Sequence, residues 1–151
     1  MASLRTFLAG DLGGTKTLLA LYSWDEKQLK QQHRRRYLSN QWTSLEPMLS
    51  HFIAHLPGEM EQPNNGCIAV AGPVRHGEAR LTNLPWSLKE KDLCAATGLK
   101  HLELINDFGV LIYGLPFLND SQQVELQLPQ QHLSAQGPIA VLGAGTGLGM
   151  A

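Results

Sequence analysis

Apolar positions along this chain come in short blocks separated by polar or glycine-rich breaks, and the blocks alternate between two periods. In "TFLAGDLGGTKTLLALYS" two apolar runs flank a glycine turn, which predicts strands over Phe7–Gly10 and Thr17–Tyr22. The second run is apolar on both faces, as expected inside a sheet. "LKQQHRRRYL" follows a charged turn and reads as a third, more exposed strand, so the chain opens with a β-meander. "TSLEPMLSHFIAHLPG" then switches period: Leu45, Met48, Leu49, Phe52, Ile53 and Leu56 share one helical face. Thr43 and Glu46 have capping-box spacing at its start, and Pro57 and Gly58 stop it.

The alternation continues. "CIAVAGPV" predicts a buried strand over residues 67–71, stopped by Gly72 and Pro73. "HGEARLTNLPWSL" holds a short strand and a loop. Ser87 and Glu90 repeat the capping-box spacing for a second helix ending at Gly98. "HLELIND" is another strand, and "DFGVLIYGLP" begins a helix with Asp107 at or near its N-terminus. Residues 119–137 are Gln-rich and polar, a loop with a short helical turn near Leu133. A last strand, Ile139–Leu142, runs into glycines at 143, 145, 147 and 149. Strands interleaved with helices in the order β-β-β-α-β-β-α-β-α-β indicate an α/β protein with a mixed sheet and flanking helices.

Composition narrows the function classes. A net charge of −1 supplies no field for nucleic acid or an anionic membrane. The run "HRRR" at 33–36 reads as a solvated strand face. No apolar run approaches the roughly 20 residues of a membrane span, and no secretory leader is visible. Cys67 and Cys94 lack CxxC spacing and read as reduced thiols. A cytoplasmic protein is expected. His51 and His55 are four apart on the polar face of the first helix without an acidic partner, so a metal site there is not expected.

The candidate chemistry lies in two glycine-rich turns that follow buried strands, "GDLGGTKT" and "GAGTGLG". The first lacks the glycine a P-loop requires before Lys16, and the second breaks the dinucleotide pattern at Leu148. Even so, backbone N–H groups in such turns form anion-binding nests, and glycine leaves them unshielded. Thr15 and Thr146 add hydroxyls, whereas Lys16 is assigned no role. Asp11 would repel phosphates unless a cation lay between, which points to Mg²⁺. The alternative is two hairpin turns that merely use glycine. Their joint occurrence, each with a threonine, favours phosphate binding.

Five separated segments, "GDLGGTKTLLAL", "GCIAVAGPV", "LTNLPWSL", "HLELINDF" and "GPIAVLGAGTGLGMA", resemble bacterial-type glucokinases of the sugar-kinase and actin superfamily. The resemblance implies the N-terminal lobe of the actin-like ATPase (ribonuclease H-like) fold. It implies ATP phosphate contacts at Gly10, Asp11, Leu12, Gly13, Gly14 and Thr15, and again at Gly143, Gly145, Thr146 and Gly147. It also implies Asp107 as catalytic base, Asn106 and Asp107 on the sugar hydroxyls, and Asn83 in a loop lining the sugar cleft. Glucose and ATP would be the substrates, with Mg²⁺ at Asp11, in a homodimer. Family chains are about twice as long, so residues 1–137 are expected to form the N-terminal lobe. Residues 138–151 would then begin the crossover to a second lobe outside this sequence, and such a fragment would be inactive alone.

The residues suit those roles. A sugar hydroxyl is a weak acid, and a carboxylate fixed at a strand end can take its proton. Asp is equally common as a helix N-cap, and the two roles are compatible. Asn can donate and accept, which suits a polyol. Trp86 is placed either to stack on a sugar or to pack. Other readings are a non-catalytic sugar-binding regulator, a kinase of another hexose, and an acetate or polyol kinase; "LTNLPW" followed by "LIND" favours a hexose.

Overall fold

The structure, a computed structural model, describes residues 5–25, 28–58, 60–127, 140–144 and 148–150. These fall into two compact units, residues 1–107 and 108–151. The first opens with the expected meander, β1 (Arg5–Leu12), β2 (Lys16–Trp24) and β3 (Leu29–Leu38), paired antiparallel in sequence. Helix α1 (Leu45–Ala54) leads to β4 (Asn65–Val70). Three short strands follow, β5 (Val74–Arg75), β6 (Glu78–Arg80) and β7 (Ser87–Lys89), then α2 (Glu90–Thr97) and β8 (His101–Asn106). The main sheet has the order β3-β2-β1-β4-β8, with β4 and β8 parallel to β1, so it is mixed.

One face of this sheet is the core. Leu8 and Leu12, Leu19 and Leu21, Ile68 and Val70, and Leu102 and Leu104 alternate into it, as the period of two requires. Leu45, Met48, Leu49 and Phe52 of α1 and Leu93 of α2 join the same cluster. Strand β3 is the exposed edge expected of its sequence, with only Tyr37 buried. Its cations discourage pairing of that edge with another chain.

Three local expectations are corrected. Neither capping box forms: the cap positions are Ser44 and Lys89, without side-chain cap hydrogen bonds. Glu46 sits in the first turn of α1, and Ser87 lies in β7. Glu90 is drawn elsewhere, accepting a hydrogen bond from the Leu104 N–H (2.8 Å) on edge strand β8. The segment from Val74 to Lys89 is a three-stranded antiparallel sheet, more than one strand and a loop. Its first hairpin turns through His76 (φ 53°) and Gly77 (φ 72°), two left-handed residues in the type I′ manner. Gly98, in contrast, closes α2 in the left-handed conformation as expected.

The second unit contains α3 (Gly109–Gly114), two single 3₁₀ turns, and a hairpin of β9 (Leu142–Ala144) with β10 (Leu148–Met150). Asp107 precedes α3 in a turn, and Phe108 occupies the cap position in helical conformation, so Asp107 is not the N-cap. Strand β9 starts at Leu142, where the sequence predicts a start at Ile139, and Ile139 and Leu133 lie outside the described residues. Among the described residues, no helix is long and apolar enough to cross a membrane.

His51 does not stand clear on a polar helix face. It packs edge-on against Tyr37 and Trp42 and stacks on His55 at 4.0 Å between ring centroids. Partial burial, then His55 and Arg35, hold its pKa below the ordinary 6.5. The unfolded chain therefore takes up the proton first, and stability present above 6.5 is lost as pH falls through the lower folded value. An NMR titration of the His51 ring should give a midpoint under 6.5, and His51→Gln should flatten the acid side of the stability profile. A midpoint at or above that value would refute the assignment.

Candidate active site

The C-terminal ends of β1, β4 and β8 lie side by side. Leu12, Val70 and Asn106 are in register, and the ladder runs one step further. There Ala71 N–H donates to the Leu12 carbonyl (3.3 Å) and Asp107 N–H to the Val70 carbonyl (2.9 Å). In an open α/β sheet this edge is the natural ligand position, because the loops leaving the strands meet there. Neighbouring strands are about 4.8 Å apart, so the loops after β1 and β8 are separated by about 10 Å across β4.

The loop after β1 is tighter than its sequence suggests. Gly10, Asp11 and Leu12 belong to β1, and Lys16 and Thr17 open β2, leaving only Gly13–Thr15 as the turn. It closes with Gly13 N–H donating to the Lys16 carbonyl (3.0 Å). Gly10 is a packing glycine: a Cβ there would lie 2.5 Å from Ile68 Cδ1 and 3.0 Å from Leu19 Cδ2. Leu12 is fully buried, so only its backbone can face a ligand. Asp11 is exposed on the opposite face, in a hollow of about 210 Å³ shared with Lys16, Thr17, Leu18 and Arg36. Asn83 meets the turn directly, since a Cβ on Gly14 would sit 2.7 Å from the Asn83 Cβ. The loop carrying Asn83 is pinned by Leu81 N–H donating to the Trp86 carbonyl (3.2 Å). Trp86 itself is buried in the core, which decides for packing over stacking on a sugar.

After β8 come Asn106 and Asp107. The Asn106 amide donates to the Gly72 carbonyl (3.0 Å) and to Asp107 Oδ1 (3.2 Å). The first bond ties the end of β8 to the loop after β4, and the second orients the exposed Asp107 carboxylate. With both amide protons engaged in this way, Asn106 serves first as the support of its neighbour. A Cβ on Gly72 would lie 3.0 Å from the Arg80 carbonyl, so the loop after β4 passes close to the small sheet.

The second glycine stretch is a hairpin rather than an open loop, with Gly143 opposite Gly149. A Cβ on Gly143 would run into the Phe108 ring. Gly145, Thr146 and Gly147 lie outside the described residues. Two buried hydroxyls, Ser39 and Thr17, escaped the sequence reading: Ser39 Oγ donates to the Gly13 carbonyl (2.9 Å) and lies 3.0 Å from Thr17 Oγ1. A serine after an exposed strand gives no sign of such burial. Among the described residues there is no group of three or more His, Cys, Asp or Glu placed to hold a metal ion.

The sequence profile of the glucokinase family matches residues 8–151, a span that includes the turn after β1, Asn83 and the Asn106–Asp107 pair. The chain belongs to the glucokinase family. The glucokinase of Nostoc sp. is 39% identical over 145 residues, covering 94% of this chain and 41% of its own length. That of Tolumonas auensis is 34% identical, covering 95% and 43%. A glucokinase structure from an Antarctic psychrotroph superposes with a TM-score of 0.83 at 30% identity, over 98% of this chain and 46% of that one. A Balamuthia mandrillaris glucokinase in complex with glucose shares the fold, with a TM-score of 0.59 at 23% identity. The fold is thus that of the actin-like sugar kinases. The chain spans about two-fifths of the length of the curated glucokinases it matches, 41% of the Nostoc protein.

Proposed function

We propose that this chain forms the lobe of an ATP-dependent glucokinase that carries the catalytic base and the glycine turns that contact the phosphates. The observation that carries the reading is the Asn106–Asp107 pair, locked to Gly72 beside the glycine turn at one sheet edge. Asp107 takes the proton of the glucose 6-hydroxyl as its oxygen attacks the γ-phosphorus of ATP. The bond to the bridging oxygen breaks and ADP leaves. Such a transfer needs positioning and charge neutralisation more than covalent help. Asn106 holds Asp107 in place and Asn83 lines the approach from the turn. The Gly13–Thr15 turn faces the phosphates, and the resemblance assigns Gly143, Gly145, Thr146 and Gly147 to phosphate contacts as well.

Mg²⁺ fits this arrangement through one carboxylate, Asp11, since it commonly keeps several waters and takes its remaining oxygens from phosphates. When bound, it neutralises phosphate charge. Lys16 and Arg36 line the same hollow as Asp11. Burial, then Glu103 and Glu90, raise the pKa of the Cys67 thiol, and both cysteines are free, in keeping with a cytoplasmic setting. A homodimer belongs to the same proposal.

Asp11→Ala in the intact protein tests the division of labour. Losing one charged contact is worth about 1.5–3 kcal/mol, or roughly 10–100-fold. The KM for MgATP should rise by that factor while the KM for glucose stays within about twofold. A loss of glucose affinity with normal nucleotide use would reverse the two sites.

A further inference from the structure

We propose that Ser39, backed by Thr17, is a positioning residue that turns the carbonyls of the first glycine turn away from nucleotide phosphates. The inference rests on the reading of that turn as a phosphate site. An anion-binding turn has an intrinsic difficulty: each peptide carries a carbonyl dipole as well as an N–H. A carbonyl oxygen facing a triphosphate would repel it at short range.

Ser39 removes two such oxygens. Its backbone N–H donates to the Thr15 carbonyl (3.0 Å) and its Oγ donates to the Gly13 carbonyl (2.9 Å). No cis peptide is present among the described residues, so the Gly14 N–H points opposite to the Gly13 carbonyl and away from Ser39. Drawing that carbonyl inward therefore presents the Gly14 amide outward. The direction of the hydroxyl is fixed as well. Serine has one hydroxyl proton, and it goes to Gly13. The 3.0 Å contact with Thr17 must then run from the Thr17 hydroxyl to Ser39 Oγ. Both side chains are fully buried, where the chain Thr17 to Ser39 to Gly13 has no water to compete with it. Ser39 stands immediately after edge strand β3, so the outermost strand of the sheet reaches across β2 to set the turn at the end of β1.

The test uses the intact protein with Ser39→Ala, Thr17→Val and Thr17→Ser. Readouts are MgATP and glucose affinity by calorimetry, amide exchange at residues 13–16, and thermal stability. Ser39→Ala should weaken MgATP binding about three- to tenfold, the worth of one hydrogen bond. Glucose affinity should stay within about twofold, and exchange at 13–16 should quicken before any nucleotide is added. Thr17→Val should reproduce part of the effect, and Thr17→Ser, which keeps the hydroxyl, should not. A purely structural Ser39 would lower thermal stability and impair both ligands alike, which overturns the proposal. So does wild-type MgATP affinity in Ser39→Ala and Thr17→Val. If Ser39→Ala does not fold, the Thr17 pair decides by the same criteria. In the wild type, MgATP must slow exchange at 13–16. Binding without that protection means the phosphate reading itself has failed, and the inference falls with it. Protection with unaltered variants sinks the inference alone.

Discussion

Asp107→Asn in the intact protein should lower kcat by about 10²–10⁴-fold, the range contributed by one general base. The amide is nearly isosteric with the carboxylate and its oxygen can still accept from Asn106. The backbone bond from Asp107 N–H to the Val70 carbonyl is untouched. Asp107 is exposed, so little packing is lost and the melting temperature should stay close to that of the wild type. Glucose affinity should change by no more than a few-fold, because shape and one acceptor survive. Undiminished turnover excludes Asp107 as base, and a collapse of stability would make it a structural residue.

The meander was legible because its signals are local. Phe7–Gly10 is a short apolar run closed by a glycine turn, and "LLAL" in β2 is too apolar for an edge. The α1 face was legible for the same reason, with Leu45, Met48, Leu49 and Phe52 all buried at helical spacing. The caps misled because the spacing of Ser87 and Glu90 says nothing about competing partners. The open N–H of Leu104 on an edge strand is such a partner, and it lies 14 residues further along the chain. Likewise, the extent of the glycine turn depended on β4. Its pairing with β1 as far as Leu12 extends the strand through residues that look like loop.

The site divides in the same way. Asp107 and Asn106 were marked by a motif, and the structure adds what holds them, the Gly72 carbonyl 34 residues away. The resemblance implies a sugar-side place for Asn83, and its position against Gly14 puts it beside the first glycine turn as well. Gly10 illustrates how one residue type hides two roles. It belongs to the motif, yet its lack of a Cβ serves the packing of Ile68 and Leu19. Only a three-dimensional neighbour list separates a glycine kept for a ligand from one kept for the core.

Phe52→Ala should produce the complementary result, a large loss of stability with chemistry intact in the molecules that remain folded. Phe52 is 1% exposed, is among the largest fully buried side chains, and joins the cluster that includes Leu12, Val70 and Leu104. Leu12 and Val70 end β1 and β4, and Leu104 lies two residues before the end of β8, the strand that leads to Asp107. Replacing a buried phenylalanine by alanine costs about 3–5 kcal/mol, the transfer term plus the cavity left behind. Against a total stability of about 5–15 kcal/mol, that removes a substantial fraction. At roughly 2–4 °C per kcal/mol for a chain of this size, the melting temperature should fall by about 6–20 °C. In the intact protein, assayed well below its melting temperature, the kcat per folded molecule should stay within a few-fold of the wild type, because Phe52 belongs to the core cluster and not to the residues proposed to meet substrate. A kcat that falls by orders of magnitude in fully folded Phe52→Ala protein would show that the core sets the geometry of Asp107 more finely than strand register alone. An unchanged melting temperature would instead mean that α1 is not packed on the sheet in this way.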